Sequence, residues 1–221
     1  MEIKTILNSL VDLFFPMRCV HCTMVIQPTQ ILCTSCVGDF SFTHWKMNQL
    51  NQTYYQLSQY CKVESAYSLF YFRKDNVIQS LLHEMKYRNR PEIGIYLADL
   101  VSVDLRGFDY IIPVPLHKKR LKERGYNQVE PFTKALAKKF DIPYADSILI
   151  RSEYKKSQVF KNKKERVKDL SSAFKLIDSS VKGHILIVDD LITTGATLSQ
   201  AVRVFNQLNN IKVSVLTIAC D

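Results

Sequence analysis

Nothing in this chain is apolar for the roughly 20 consecutive residues that a bilayer-spanning helix needs. Glycine and proline are sparse, 6 and 7 among 221 residues. The first absence sets helical membrane proteins aside, and the second sets aside collagen-like and Pro/Gly-rich low-complexity chains. No internal repeat is visible either. An export signal is also missing. Ile3, Ile6, Leu7, Leu10, Leu13 and Phe14 fall at helical spacing but are interrupted by Glu2, Asn8 and Asp12, where a signal peptide has an unbroken apolar centre. That pattern predicts an amphipathic helix packed on its own domain, and a cytoplasmic protein. With 47% hydrophobic and 23% charged residues the chain can bury a core. Its length fits one main domain and an appendage.

Acidic residues are in short supply. Lys and Arg number 30 against 21 Asp and Glu, a formal charge of +9. The excess sits in two segments. One holds Lys118, Lys119, Arg120, Lys122 and Arg124 against Glu123. The other, residues 151–168, holds Arg151, Lys155, Lys156, Lys161, Lys163, Lys164, Arg166 and Lys168 against Glu153 and Glu165. Positive charge focused in this way implies a polyanionic ligand, either a phosphorylated small molecule or nucleic acid.

Four of the 6 cysteines crowd one short stretch as two Cys-x-x-Cys pairs, Cys19/Cys22 and Cys33/Cys36. Each such turn can set two thiolates about 3.5–4 Å apart, two corners of a tetrahedron around Zn²⁺. Metal binding would supply folding energy that so short a segment cannot draw from a core. Two disulfides are the alternative, but a cytoplasmic chain lives in a reducing compartment. A closed four-cysteine site leaves no position for substrate, so its role is structural or binding. His21 reads as a surface residue, and Cys61 and Cys220 as packing residues.

Further along, the Gln/Asn-rich stretch 43–60 reads as a connecting helix and as the seam between residues 1–60 and a main domain over 61–221. Val63 to Phe72 is β-branched and aromatic, as in a strand. Leu81, Leu82 and Met85 mark a helix, and Pro91 opens another. Strands over 110–114, 147–150, 185–188 and 213–219 then alternate with helices over 129–140 and 198–208. Continuously apolar strands between amphipathic helices predict an α/β fold with a mostly parallel sheet covered on both faces.

Residues 185–197 carry the most information: four apolar residues, then Asp189-Asp190, then Leu191-Ile192-Thr193-Thr194-Gly195-Ala196-Thr197. This is a strand, two carboxylates at its C-terminal end, and a Thr/Gly turn opening a helix near Ala196. In open α/β sheets the ligand crevice lies beyond the carboxyl ends of the strands. Backbone N–H groups of Thr193 to Thr197 can cradle a phosphate there, and Gly195 permits close approach. Paired carboxylates repel phosphate, so they must face something else. The vicinal hydroxyls of a ribose, which donate hydrogen bonds, fit.

This segment resembles the phosphoribosyl-diphosphate (PRPP) motif of type I phosphoribosyltransferases. The resemblance implies that Asp189 and Asp190 hold the ribose hydroxyls and that Thr193, Thr194, Gly195, Ala196 and Thr197 hold the 5′-phosphate. It also implies a Mg²⁺ ion carried chiefly by the diphosphate, the ribose hydroxyls and water. Val114, Pro115 and Leu116, with Lys118 and Lys119, occupy the place of the family's diphosphate loop. Adding the cysteine pairs, the run Leu81 to Lys86-Tyr87, Arg124-Gly125-Tyr126-Asn127-Gln128, and Gln158 to Arg166 followed by Ala173-Phe174 narrows the match. From about Cys19 to Ala219 the chain is similar to the ComF family, whose named members are competence proteins required for uptake of transforming DNA.

That resemblance implies a zinc-ribbon module ahead of a phosphoribosyltransferase-like domain. It also implies action in competence, through single-stranded DNA or a DNA-translocating helicase or ATPase, with peripheral association with the uptake machinery. Residues 151–169 would form a hood over PRPP, with Arg124, Lys164 and Arg166 as candidate catalytic cations. Two positions depart from the family pattern, Lys155 where Thr is usual and Asp169 where Asn is usual. The competing expectation is a metabolic transferase that passes phosphoribosyl from PRPP to a nucleobase or amine.

Overall fold

The computed structural model describes residues 15–151 and 173–221. The expected N-terminal amphipathic helix, most of the expected hood, and Lys164 and Arg166 lie outside the described residues.

Four strands, β1 (Ala66–Tyr71), β2 (Tyr110–Pro113), β5 (Gly183–Ile192) and β6 (Ile211–Cys220), form a sheet in the order β1-β6-β5-β2. Every pairing in it is parallel. Because side chains alternate across a strand, β5 feeds both layers of the core. Leu186 and Val188 join one hydrophobic cluster, Ile185 and Ile187 the other. Both faces are therefore covered, which is what a continuously apolar strand requires.

On the first face lie helices α3 (Val77–Tyr87), α4 (Pro91–Asp99) and α6 (Glu130–Phe140), with Leu81, Ile93, Leu97, Phe132 and Leu136 fully buried. Asn76 caps α3 by accepting from the Gln79 amide, and Pro91 begins α4 where no N–H is needed. Helices α4 and α6 touch at Gly94, where an added Cβ would lie 2.9 Å from the Phe132 nitrogen. The ammonium of Lys139 then closes the end of α4 by donating to the carbonyls of Ala98, Asp99 and Val101. On the second face lie α2 (Gln52–Ser58) and α7 (Ala196–Phe205), through Leu57, Leu198, Ala201, Val202 and Phe205. Two short antiparallel strands, β3 (Leu149–Arg151) and β4 (Phe174–Leu176), stand apart from the main sheet.

The cysteine segment, which includes the short helix α1 (Thr34–Gly38), is continuous with this core. Cys19, Leu32, Cys33 and Cys36 belong to the same cluster as Tyr67 and Phe70 of β1. The chain then runs antiparallel beside β1, with Thr43 N–H donating to Leu69 and Tyr71 N–H to Ser41. Phe42 stacks on Phe70 at 4.8 Å between centroids.

Several elements differ from expectation, among them Lys118–Arg124, which is helical where a loop is expected. The helix in the Gln/Asn-rich stretch spans only Gln52–Ser58, because Asn51 stops it. Its Oδ1 accepts the Tyr54 amide and its Nδ2 donates to the Ala66 carbonyl at 2.6 Å, the competition with backbone that makes Asn a cap rather than a helix residue. Strand β5 outruns its apolar stretch and carries Asp189 and Asp190 within it, because β6 pairs with it as far as Ile192↔Cys220.

Candidate functional site

Beyond the carboxyl ends of β2 and β5 lies a cavity of about 270 Å³. Strand β2 delivers Val114, Pro115 and Leu116 to it, and β5 delivers Asp189, Asp190 and the adjoining turn, through Thr197. Lys86, Arg120, Arg124 and Arg151 complete the wall with positive charge. The arrangement is two acids at the floor and four cations around them.

The acids differ in their surroundings. Asp190 is 7% exposed, and its Oδ2 accepts from Gln128 Nε2 at 2.7 Å and pairs with Lys86 Nζ at 3.1 Å. Asp189 accepts the Asp190 backbone N–H at 2.9 Å. Desolvation, and then the charge of Asp190, push the Asp189 carboxyl up to about 8, although Lys86 and Arg151 pull the other way. At the rim, burial and the nearby Arg120 lower the Arg151 guanidinium from its ordinary value, while Asp189 opposes the shift.

The turn after β5 owes its shape to Gly195, whose φ of +71° is in the left-handed region. Gln56 of α2 holds it from behind by donating to the Thr193 carbonyl. A Cβ on Gly195 would sit 3.4 Å from Leu57. Helix α7 starts at Ala196, so its free N–H groups face the cavity edge.

The Arg-Gly-Tyr-Asn-Gln segment follows α5 (Lys118–Arg124) and ties the site to its neighbours. Gly125 ends α5 at φ +77°. Tyr126 donates its hydroxyl to the Met85 carbonyl at 2.6 Å, and Asn127 donates to the Val114 carbonyl at 3.1 Å. Arg124 donates to Gln128 Oε1 at 2.8 Å and lies over the Tyr87 ring at 5.3 Å.

Apart from this cavity, the sulfurs of Cys19, Cys22, Cys33 and Cys36 all lie within 4.8 Å of one another, and Cys22 and Cys33 are 3.6 Å apart. Tetrahedral zinc with Zn–S near 2.3 Å sets sulfurs about 3.8 Å apart. The donor set therefore fits a metal ion. Burial opposes ionisation of Cys19, but the backbone N–H groups of Cys22, Cys33 and His21 outweigh it and bring the thiol down to about 6. Burial and the neighbouring sulfurs push Cys36 up. His21 stands aside from this cluster, bonded to Ser80 at 2.9 Å.

Residues 129–220 match the family model described as phosphoribosyl transferase domain. Over 226 residues the chain is 28% identical to Competence protein F of Haemophilus influenzae, covering 93% of this chain and 98% of that protein. It is 32% identical over 136 residues to Competence protein ComFC of Bacillus subtilis, covering 58% of this chain and 53% of that one. The chain is therefore similar to competence proteins along most of its length. A third relative, DNA utilization protein YhgH of Escherichia coli K12, is 29% identical over 133 residues, 56% of this chain and 58% of that protein. The chain thus spans nearly all of one curated relative and a little over half of the other two.

Of the residues singled out in the sequence, the fold gathers Asp189, Asp190, Thr193 to Thr197, Val114, Pro115, Leu116 and Arg124 around one cavity. Lys118 and Lys119 lie on α5 outside the cavity wall, Lys119 beside Glu123 at 3.9 Å. Asn127 bridges from the Val114 carbonyl to the Val129 amide, and the cap position of α6 is Val129. Lys86, Gln128 and Gln56 join the site without having been assigned to it, whereas Arg120 and Arg151 come from the segments expected to meet the diphosphate and to form the hood. Lys86 and Gln128 stood inside family motifs and so had a signal. Gln56 had none.

Proposed function

We propose that this chain is a ComF-family protein that binds PRPP as its Mg²⁺ complex and acts in the uptake of transforming DNA, with single-stranded DNA or a DNA-translocating ATPase as its partner. The observation that carries the first half is the pairing of Asp189 and Asp190 with the Thr193–Thr197 turn inside a wall of four cations. In this reading the acids accept from the ribose hydroxyls, the turn and the N-terminus of α7 hold the 5′-phosphate, and Lys86, Arg120, Arg124 and Arg151 face the diphosphate. The diphosphate, the ribose hydroxyls and water would carry Mg²⁺, an ion that dehydrates reluctantly, and it would offset diphosphate charge. The four cysteine sulfurs would hold structural zinc.

Catalysis, where it occurs, is displacement of diphosphate from C1 of PRPP by a nucleophile. Its rate comes from positioning and from cations that meet the developing charge of the leaving group. Among the described residues lining the cavity, Lys86, Arg120, Arg124 and Arg151 supply the electrostatic clamps. The competence-protein relatives support the second half of the proposal, and the formal charge of +9 suits a nucleic-acid partner.

Titration calorimetry with Mg²⁺–PRPP tests the site. The parent protein binds, and Asp189→Ala combined with Asp190→Ala loses at least tenfold in affinity; unchanged binding in the double variant would refute the assignment. Diphosphate release that is rapid and dependent on an added nucleobase would point instead to a metabolic transferase. Binding to single-stranded oligonucleotides should weaken steeply with salt; no binding at low salt removes DNA as the direct partner.

A further inference from the structure

Gln128 lies between the two halves of the site, and the role argued for it rests on the PRPP reading of that site. We propose that Gln128 is a positioning residue that ties the diphosphate cation Arg124 to the ribose acid Asp190, so that the two ends of the ligand site are held at a fixed separation. The amide is used at both ends: Nε2 donates to Asp190 Oδ2 at 2.7 Å and Oε1 accepts from Arg124 at 2.8 Å. Its orientation is forced, because a guanidinium can only donate and an ionised carboxylate can only accept. Gln128 is 5% exposed, so an unmade bond at either end would leave a desolvated polar group behind.

The residue type is dictated by these neighbours. Glu at this position would set a second carboxylate against Asp190. Lys or Arg would set a cation against Arg124, and Asn is one methylene short of spanning both. Glutamine alone among neutral side chains combines a donor, an acceptor and this reach. The partners on either side have other anchors, Lys86 on Asp190 at 3.1 Å and the Tyr87 ring under Arg124 at 5.3 Å. Removing the amide therefore frees the direction of Arg124 while leaving both partners in place. The hydrogen bonds of Gln128 and Arg124 go to each other and to Asp190, not to the Thr193–Thr197 turn, so the two ends of the ligand can be read separately.

The test compares PRPP with ribose 5-phosphate, which lacks the diphosphate, by calorimetry on the parent, Gln128→Met, Arg124→Ala and the double variant. Gln128→Met keeps the unbranched shape, and each variant is first shown to unfold cooperatively. The expected result is a loss of about tenfold for PRPP in each single variant, with ribose 5-phosphate affinity held within about twofold. The double variant should be no weaker than Arg124→Ala alone, since both substitutions break one chain. Equal losses for both ligands, or single losses that multiply in the double variant, would overturn the tie while leaving the PRPP site standing. Should Gln128→Met fail to fold, Arg124→Ala still decides, because equal losses for the two ligands there remove the diphosphate role that the tie serves. A parent protein that bound neither ligand would remove the PRPP reading and the tie together.

Discussion

Asp190 meets two donors, Gln128 and Lys86, whereas Asp189 next to it accepts the Asp190 amide and bears the cost of a like charge one residue away. An unfolded aspartate ionises near 3.8, and in the fold Asp189 is pushed up to about 8, by desolvation first and by Asp190 second. Between those values the folded chain keeps a proton that the unfolded chain has lost. The contribution of Asp189 to stability is therefore complete below about pH 4 and is lost as pH rises through 8. The ligand-free protein should show a falling melting temperature from pH 5 to 8, and Asp189→Asn should flatten that slope. His184, whose value is lowered by burial, contributes with the opposite sign, so the difference between parent and variant is the quantity to measure. An identical slope in the variant would place the titration elsewhere. Gly195 is the other residue whose type is dictated locally. An alanine there would find Leu57 at a tolerable 3.4 Å but would be held at φ +71°. Gly195→Ala should cost about 1–2 kcal/mol, read as a lower unfolding midpoint in urea.

Among the elements, α2 (Gln52–Ser58) shows where sequence reading succeeds and where it stops. The motif 185–197 could be read because strand, acids, turn and helix are contiguous, and each step has a local cause: apolar run, charge, glycine, helical spacing. Strand order β1-β6-β5-β2 and the presence of Lys86, Gln128 and Arg151 at one cavity depend on packing between segments far apart in the chain, which periodicity does not encode. Gln56 is the extreme case. It sits in a Gln/Asn-rich stretch that reads as a seam, yet its amide supports the Thr193 carbonyl 137 residues away. Helix α2 is fixed at that spot by Leu57 in the second core cluster, and by Gln52, which donates to the Asp221 carbonyl at 3.0 Å. A hydrogen bond of this kind contributes about 0.5–1.5 kcal/mol. Gln56→Ala should thus weaken both PRPP and ribose 5-phosphate by roughly two- to tenfold, since it acts on the phosphate turn they share. An effect confined to PRPP would mean that α2 acts on the diphosphate end instead.

For the whole molecule, the question is whether the cysteine segment folds as an appendage or as part of the main sheet. Its composition reads as a separate module, residues 1–60 ahead of 61–221. Physically, Cys19, Cys33 and Cys36 share a hydrophobic cluster with Phe70 and Leu216, and residues 41–43 hydrogen-bond along the outer edge of β1. A metal ion held by those four sulfurs would then stabilise more than its own loop. Zinc binding to isolated peptides is worth about 10 kcal/mol or more, and its loss would expose the Phe40, Phe42 and Phe70 ring cluster together with the edge of β1. Stripping the metal with a chelator, or substituting Cys36→Ser, should therefore lower one cooperative unfolding transition for the entire chain. Calorimetry resolves the alternatives. A first transition that disappears while a second keeps its temperature would show that the segment melts alone, and the shared cluster would then be contact without coupling. A single shifted transition would show that the segment and the sheet unfold together. Because β1 belongs to the sheet whose β5 carries Asp189 and Asp190, loss of the metal should then also weaken PRPP binding.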